Sequence, residues 1–457
     1  KIFKIFKIFK IFIFYIFVMI SQIDLKLTQF GRHLLSKGKF KPVYYSFLDD
    51  DILYDSENGG FSETNAQTKV RILTETPYMK PQTNYKGIDA VASGLKLRGV
   101  SLANRIVLSP LCMYSAKDGI PNEWHFSHLS TFARARIGCI FAEATAVKKE
   151  GRITPFCLGL WNNEQLQAFK PIVSFIKKMG SIPAFQLAHA GRKAGTKEPW
   201  NGGVPLDIED EIEGNKPWDI IAPSAIALAE GWKTPKAMDQ KDISDLINAY
   251  VKSAKLAIAA GFRILEIHAA HGYLLHSFLS PISNKRNDHY GGNLEGRSKL
   301  LKEIIIAVRN NISESVPIFC RISAVDGIKN GLDINDSIAL SKILSSVGVD
   351  VVDCSSGGIS GRPRFAVNDK GDALKNNLER GLGFQVPYAN AIKKDGNIKT
   401  MAVGVIVNPQ QAEKILIEDK ADLIAMGREL MYNPFWPLHA AQELNADPEY
   451  KLWPDQY

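Results

Sequence analysis

Two histidines and a tyrosine follow one short apolar run, and together they could bind and protonate a substrate. The segment Glu266–Pro281 reads EIHAAHGYLLHSFLSP, so His268 ends the run and His271 and Tyr273 follow within one turn of chain. Imidazole N–H groups can hold the carbonyl oxygen of a conjugated alkene, which makes its β-carbon a better hydride acceptor. A phenol beside them can protonate the α-carbon.

The same residues also have simpler roles open to them. Histidines at strand ends often only satisfy backbone groups, and a pair spaced like His268 and His271 can ligate a metal. No acidic or cysteine ligand stands at a suitable nearby spacing, so carbonyl binding is favoured over a metal site.

Cys112 and Tyr114 lie in the segment SPLCMYSA, residues 109–116, directly after another apolar run. A thiol beside a redox-active ring can tune the reduction potential of that ring, and a tyrosine there can cover a substrate. Taken alone, Cys112 is better explained as a small buried hydrophobe and Tyr114 as a packing aromatic.

Gln186 and Arg321 each end a further apolar run. A glutamine can hydrogen-bond the pyrimidine edge of a flavin, and a guanidinium beside that edge would stabilise the anionic reduced ring. An isolated glutamine or arginine in a barrel is more often paired with a polar neighbour.

Gly404 and the segment MGREL, residues 426–430, follow the last two apolar runs. Backbone amides at the start of a helix, with Arg428 beside Gly427, suit a phosphate group. A helix-start glycine with a solvated arginine explains this segment equally well when it is taken by itself.

These polar groups must be positioned by the runs that precede them. From residue 95 onward, eight short apolar runs alternate with stretches of helical length. The alternation predicts an α/β fold with parallel strands, and eight strand–helix pairs favour a closed (β/α)8 TIM barrel over a doubly wound sheet. The predicted strands are Arg105–Ser109, Cys139–Thr145, Ile182–Ala188, Ile264–His268, Ile318–Ser323, Val349–Cys354, Thr400–Gly404 and Leu423–Gly427.

The segments between the strands show apolar residues three and four positions apart, most clearly in Lys241–Ala260 and Glu303–Arg309. The longest interruption, Lys193–Ala222, is rich in Gly, Pro, Trp and acidic residues, which predicts a surface excursion after the third strand.

Composition narrows the class of protein. Of 457 residues, 45% are hydrophobic and 23% are charged, which is typical of a globular chain. The net charge of +8 includes four lysines of an N-terminal repeat, and no arginine-rich stripe interleaved with aromatics accompanies it, so nucleic acid is not an expected partner. The five cysteines are scattered singly, which favours a reducing, cytoplasmic location over disulfides, structural zinc or an iron–sulfur cluster.

The first 20 residues, KIFKIFKIFKIFIFYIFVMI, form a three-residue repeat that ends in ten apolar residues, too few to span a bilayer. We expect residues 1–84 to be a low-complexity leader, with Met19 as an alternative start, and a flexible extension. The barrel is expected at residues 85–457. A membrane anchor is the second interpretation of the leader.

Nine segments, in order, resemble the Old Yellow Enzyme family of FMN-dependent ene-reductases, in its thermophilic-like subgroup that also occurs in fungi. The likeness covers residues 92–457, and the order of so many motifs makes it specific. The segments are LANRIVLSPLCMYSA, EATAV, FQLAHAGRKA, APSAIA, GFRILEIHAAHGYLLHSFLSPISNKRNDHYGGN, RISA, DCSSGG, AVGVI and MGREL.

This resemblance implies roles for the residues singled out above. His268 and His271 would bind the electron-withdrawing oxygen of the substrate, Tyr114 would line its site, and Tyr273 would donate a proton. Cys112 would contact FMN and modulate its reduction potential. The other residues implied to contact FMN are Ser109, Pro110 and Leu111, with Ala144 against the flavin, Gln186 and Arg321 bonded to its ring, and Gly404, Gly427 and Arg428 at its phosphate.

The reaction implied is a ping-pong cycle in which NADPH, or NADH, reduces FMN and the alkene of an α,β-unsaturated carbonyl compound is then reduced in the same cavity. The partners expected are therefore NAD(P)H and a small electrophilic alkene, with a homodimer or homotetramer left open and no membrane partner expected. The alternatives kept are a non-catalytic flavin-binding barrel and a membrane-tethered flavin reductase of quinones or nitro compounds.

Overall fold

A computed structural model of the chain describes residues 90–360 and 381–456. The predicted leader and the boundary at residue 85 lie outside these described residues. Eight parallel strands close into a barrel in chain order, with the last strand paired to the first, which confirms the predicted fold. The barrel strands are β3 (Ile106–Leu108), β4 (Cys139–Ala146), β5 (Ile182–Ala188), β8 (Ile264–Ala269), β9 (Ile318–Ser323), β10 (Val351–Ser355), β11 (Lys399–Val403) and β12 (Leu423–Met426).

Four short strands within the described residues lie outside the barrel. An antiparallel hairpin of β1 (Leu95–Leu97) and β2 (Val100–Leu102) precedes β3. Between β5 and β8, β6 (Ile221–Ala222) pairs with β7 (Lys236–Ala237). All eight predicted barrel strands are present, and their ends differ from the prediction by at most two residues because inter-strand pairing, which sequence alone does not display, sets where each strand stops.

Helices cover the outside of the barrel, as the crossover pattern predicted. The helix predicted at Lys241–Ala260 spans Gln240–Ala260, and it begins where the Asp239 side chain accepts the N–H of Asp242. The helix predicted at Glu303–Arg309 begins earlier, at Leu294. Its first turns are mostly polar, so the apolar residues at three- and four-residue spacing by which the helix was predicted do not extend to its start. The described helices are α1 (Glu123–Arg134), α2 (Asn163–Lys178), α3 (Ile208–Ile212), α4 (Gln240–Ala260), α5 (Leu274–Leu279), α6 (Leu294–Arg309), α7 (Ile334–Ser346), α8 (Val386–Gly396), α9 (Pro409–Ile417), α10 (Arg428–Tyr432) and α11 (Trp436–Glu443).

The barrel interior is apolar at its amino end. Every second strand residue points inward, and the inward residues nearest the strand starts form one buried cluster that includes Val107, Phe141 and Phe319. Leu97 and Leu102 of the hairpin join this cluster and close the barrel from below. Polar residues therefore enter the interior only toward the carboxyl ends of the strands, where a barrel of this kind places its chemistry.

The predicted excursion, residues 193–222, is an insertion between β5 and α4 at the carboxyl end of the barrel. It contains a short turn at Pro199–Asn201 and helix α3. The Trp218 indole N–H donates to the Glu150 carbonyl, which attaches the insertion to the loop after β4. Within the described ranges, no helix combines the length and apolarity needed to cross a membrane.

A buried aromatic cluster joins helix α2 to the outside of the barrel. The Phe169 ring lies 5.6 Å from that of Phe185 and 5.5 Å from that of Phe262, both in edge-on geometry.

We expect Phe169→Ala to lower the free energy of unfolding by about 3–5 kcal/mol, because it removes a buried ring and leaves a cavity. Phe126→Ala, at a ring 38% exposed, is the control and should cost far less in the same urea titration. Equal costs would contradict the packing described.

Candidate active site

Inward-facing polar residues gather at the carboxyl ends of neighbouring strands. In the strand register, Gln186 pairs with Glu266, His268 with Arg321, and Arg321 with Asp353. Ala144 pairs with Gln186 on the other side. Gln186, His268 and Arg321, which were predicted from separate segments, therefore lie on one rim of the barrel.

His268, His271 and Tyr273 form one cluster above this rim. The ring of His268 lies 5.2 Å from that of His271 and 5.0 Å from that of Tyr273, in both cases nearly perpendicular. The Ala270 N–H donates to Nδ1 of His268, which leaves Nε2 of the neutral ring to carry the proton. Nε2 of His271 lies 2.6 Å from the Ser355 hydroxyl, which leaves its Nδ1 for a ligand.

The turn that carries His271 is held in an unusual backbone conformation. His271 itself has φ +60°, and its N–H donates to the Ser323 hydroxyl at 2.9 Å. A side chain at Gly272 would clash with the carbonyl of Gly358, so the two loops approach this closely only because both positions are glycine. Backbone strain of this kind persists only where the surroundings enforce it.

Lys193 ties these two loops together. Its ammonium group donates at 2.6 Å to the carbonyl of His271 and at 2.6 Å to that of Gly358. The same group lies 5.6 Å from the Tyr273 ring centre. Burial, with the nearby charge of Arg192, lowers the pKa of Lys193 to about 8.

A buried histidine–aspartate pair supports the turn from below. The Gly272 N–H donates to Nδ1 of His276, so the proton of the neutral ring sits on Nε2, which lies 2.8 Å from Asp326. The Ser280 hydroxyl and the Leu332 N–H also donate to Asp326. Burial alone would raise the pKa of Asp326, but these hydrogen bonds, that from His276 foremost, lower it. The carboxylate is thus charged, and His276 is oriented by it.

The two imidazoles and the phenol of the cluster are held in their neutral forms. Burial, reinforced by the charge of Arg321, holds the pKa of both His268 and His271 well below the usual range. Burial, with Cys112 nearby, raises the pKa of the Tyr273 phenol. At neutral pH the cluster therefore presents neutral imidazole donors and a protonated phenol.

The loop after β3 brings Ser109, Pro110, Leu111 and Cys112 to the same rim. Ser109 is buried, and its hydroxyl has no partner within the described residues. Burial, followed by the charge of Glu143, raises the pKa of the Cys112 thiol well above its usual value, so the protonated thiol is the form present. Tyr114 is half-buried with φ +49° and meets the Trp200 ring edge-on at 5.7 Å.

Glu143 fixes this loop, and the sequence interpretation gave it no role. The register of β4 against β5 shifts between Ala142 and Ala144, so Glu143 is an extra residue in the ladder. Its buried carboxylate accepts the N–H of Met113 and lies 3.6 Å from Nε2 of His125. The bulge thereby turns a charged strand residue toward the segment that carries Cys112.

The last two barrel strands place the predicted phosphate residues. Gly404 follows β11 with φ +121°, and Gly427 follows β12 immediately before α10, which begins at Arg428 as predicted. A Cβ at Gly427 would lie 3.2 Å from the Leu111 side chain, so this glycine adjoins the loop after β3. Arg428 is exposed at the outer end of the group.

Several residues that organise the site were missed because their partners are distant in sequence. The only local signal was a charged or polar residue inside or just after an apolar run. Within residues 90–360 and 381–456, the His, Cys, Asp and Glu side chains form no group of three that could hold a metal ion. The missed residues are Glu143, Lys193, Glu266, His276, Asp326 and Asp353.

Residues 93–447 match the protein family described as NADH:flavin oxidoreductase / NADH oxidase. The chain is 43% identical over 356 residues to NADPH dehydrogenase of Halalkalibacterium halodurans, covering 78% of this chain and 94% of the relative. It is 42% identical over 352 residues to NADPH dehydrogenase of a Geobacillus species, covering 77% and 93% respectively.

Solved structures agree in fold. The Old Yellow Enzyme homologue of Zymomonas mobilis superposes with a TM-score of 0.62 at 24% identity, covering 78% of this chain and 93% of that one. A 2-naphthoyl-CoA reductase superposes with a TM-score of 0.67 at 21% identity, and this chain spans about half, 52%, of its length. The family match and the close relatives together show that the chain belongs to the NADH:flavin oxidoreductase / NADH oxidase family, the Old Yellow Enzyme family of FMN-dependent oxidoreductases.

Proposed function

We propose that this chain catalyses the NAD(P)H-dependent reduction of the activated C=C bond of α,β-unsaturated carbonyl compounds. The observation that carries the proposal is the cluster of His268, His271 and Tyr273 on the rim that also holds Gln186 and Arg321. FMN bound at this rim would supply the hydride. The chain's own residues would orient the substrate, polarise its carbonyl group and deliver the proton.

The rim residues fit a flavin. The buried Ser109 hydroxyl has no hydrogen-bond partner within the described residues, as expected of a group that awaits a polar ligand. Gln186 uses its amide N–H on Glu266, which leaves its amide oxygen available. We assign Ser109, Pro110, Leu111, Cys112, Ala144, Gln186 and Arg321 to the ring and Gly404, Gly427 and Arg428 to the phosphate.

Substrate binding would use the two imidazoles. Nε2–H of His268 and Nδ1 of His271 are the ring nitrogens free of the contacts made to Ala270 and Ser355. Two donors on one carbonyl oxygen stabilise the negative charge that develops there as the β-carbon accepts hydride. Tyr114 would line the opposite side of the substrate, where the neighbouring Trp200 supports it.

Tyr273 would donate the proton to the α-carbon. Its phenol packs against His268, and because burial raises a pKa that is already well above neutral, the phenol is protonated at neutral pH. A general acid must carry its proton when the reaction reaches it, and this environment secures that.

The relatives named NADPH dehydrogenase support NADPH as the reductant, with NADH as the second candidate. All five cysteines are free, which fits a reducing compartment such as the cytoplasm. We also propose that the protein is a homodimer or homotetramer, and light scattering of the purified protein would measure its molecular mass.

The first test is spectroscopic and uses the full chain. Purified protein should be yellow, NADPH should bleach the flavin absorbance without oxygen, and cyclohexenone should restore it. A colourless protein that does not take up FMN would contradict the assignment of the rim. A yellow protein that neither NADPH nor NADH bleaches would instead be a non-catalytic flavin-binding barrel.

The second test removes one carbonyl donor at a time. We expect His268→Ala and His271→Ala each to lower kcat/KM for cyclohexenone roughly 10²-fold, with the flavin spectrum retained. Since both pKa values lie well below the usual range, wild-type kcat/KM should show no imidazole inflection near neutral pH. His289→Ala, at an exposed histidine, is the control. Rates within threefold of wild type would exclude the role of these donors.

The third test separates proton transfer from hydride transfer. Tyr273→Phe should slow flavin reoxidation by cyclohexenone roughly 10²-fold or more, because a general acid is lost, and should spare reoxidation by a quinone, which needs no proton on carbon. Stopped-flow absorbance measures both. Tyr290→Phe is the matched control, because it removes a phenol hydroxyl that is hydrogen-bonded to Glu303 instead of one in the histidine cluster. An equal loss with both acceptors would argue that Tyr273 acts in binding only.

A further inference from the structure

Two carboxyl groups lie within hydrogen-bonding contact of each other inside the barrel, beside Arg321. Glu266 on β8 and Asp353 on β10 point inward from the strands that flank β9, and neither is accessible to solvent. We call them the carboxyl pair. Two buried negative charges this close are too costly to keep without compensation.

The hydrogen bonds around the carboxyl pair leave one proton unaccounted for. The Gln186 amide donates to Oε1 of Glu266 at 2.7 Å, whereas Oε2 has no donor. Arg321 Nε lies 3.2 Å from Oδ2 of Asp353, but its geometry is not that of a hydrogen bond, and neither Asp353 oxygen accepts a hydrogen bond from another described residue. A proton on Oε2 of Glu266, directed at Asp353, would satisfy both groups.

Charge balance leads to the same conclusion. Arg321 supplies one positive charge to the carboxyl pair, so one carboxylate is neutralised and the other is not. The other titratable side chains beside the pair are thiols, of which Cys139 points into the barrel and the other two point out of it, and burial raises the pKa of each of them well above its usual value, so they carry no charge. These thiols are Cys139 on β4, Cys320 on β9 and Cys354 on β10.

We propose that Glu266 and Asp353 share one proton, carried on Glu266, and that ionised Asp353 holds the Arg321 guanidinium in place at the rim. The part that concerns the cofactor rests on the proposed function, in which Arg321 lies beside the flavin ring. The carboxyl pair then positions the Arg321 guanidinium. Because only one of the two carboxyl groups is ionised, the positive charge of Arg321 beside the flavin ring is opposed by one negative charge instead of two.

The direction of the pKa shifts agrees with this arrangement. Burial, the charge of Asp353 and the hydrogen bond between the two groups raise the pKa of Glu266 well above its usual value. Burial also raises the pKa of Asp353, but Arg321 and the hydrogen bond from Glu266 both oppose the rise. The proton therefore belongs on Glu266.

The first measurement concerns the proton and does not depend on flavin chemistry. Because the pKa of Glu266 is raised in the folded protein, the contribution of this residue to the stability of wild type falls as pH rises above its unfolded-state pKa of about 4.3. Glu266→Gln keeps the Gln186 and Asp353 contacts without an ionisable group. Its free energy of unfolding should therefore increase relative to wild type with rising pH, measured by urea titration of the full chain.

The control for this measurement is Glu230→Gln, the same chemical change at an exposed carboxyl group. Its stability should run parallel to that of wild type at every pH. A difference between Glu266→Gln and wild type that is constant with pH, or that shrinks as pH rises, would overturn the shared proton.

The second measurement is the midpoint potential of bound FMN at neutral pH. Glu266→Gln should leave it close to wild type, because Glu266 is already neutral. Asp353→Asn should raise it, because a negative charge near Arg321 is lost. An equal rise in both variants would mean that both carboxylates are ionised, and would overturn the proposal.

The two measurements distinguish a failure of the shared proton from a failure of the proposed function. A protein that binds no FMN but shows the pH-dependent stability difference would refute the proposed function and keep the shared proton. If Asp353→Asn does not fold, the Glu266→Gln potential decides by itself, since any clear rise contradicts a neutral Glu266.

Discussion

The closed parallel ladder of the barrel constrains everything in its interior. Each strand sends every second side chain into the same narrow space, and water cannot reach most of it. A polar residue there must find a partner on a neighbouring strand, because an unpaired buried polar group is costly. Gln186 with Glu266 and Arg321 with Asp353 meet this requirement between strands, and His271, in the turn after β8, meets it with Ser355 at the end of β10. The chemistry at the rim is therefore built from pairs whose members lie far apart in the chain.

The turn at residues 270–273 shows how such pairs hold a strained backbone. Lys193 fixes its carbonyl side, Ser323 fixes the N–H of His271, and His276 fixes the N–H of Gly272. Each contact comes from a different element, so the loss of any one leaves the other two in place. These three hydrogen bonds hold the left-handed backbone of His271 in place, so the orientation of its imidazole does not depend on side-chain packing alone.

The fold and most of the rim could be predicted because their signals are local. Eight apolar runs, ended by polar residues or by glycine, mark both the strands and the mouth of the barrel, and Gln186, His268 and Arg321 were found in this way. Glu143 could not be interpreted, because its role depends on a bulge that appears only when β4 is paired with β5. The carboxyl pair was missed for a similar reason: strand register, which no single segment encodes, brings Glu266 and Asp353 together.

The insertion between β5 and α4 has a separate consequence. It touches the mouth through Trp200, whose ring meets Tyr114, while its own attachment runs through Trp218 to the loop after β4. Neither tryptophan comes from a barrel strand, so the part of the insertion between Gly195 and Trp218 can vary in length and composition without disturbing the strand pairing or the contacts that Lys193 makes to the turn at residues 270–273. Under the proposed function, the insertion would govern which substrates reach the mouth and the barrel strands would govern the reaction, so the substrate range could change while the reaction stays the same.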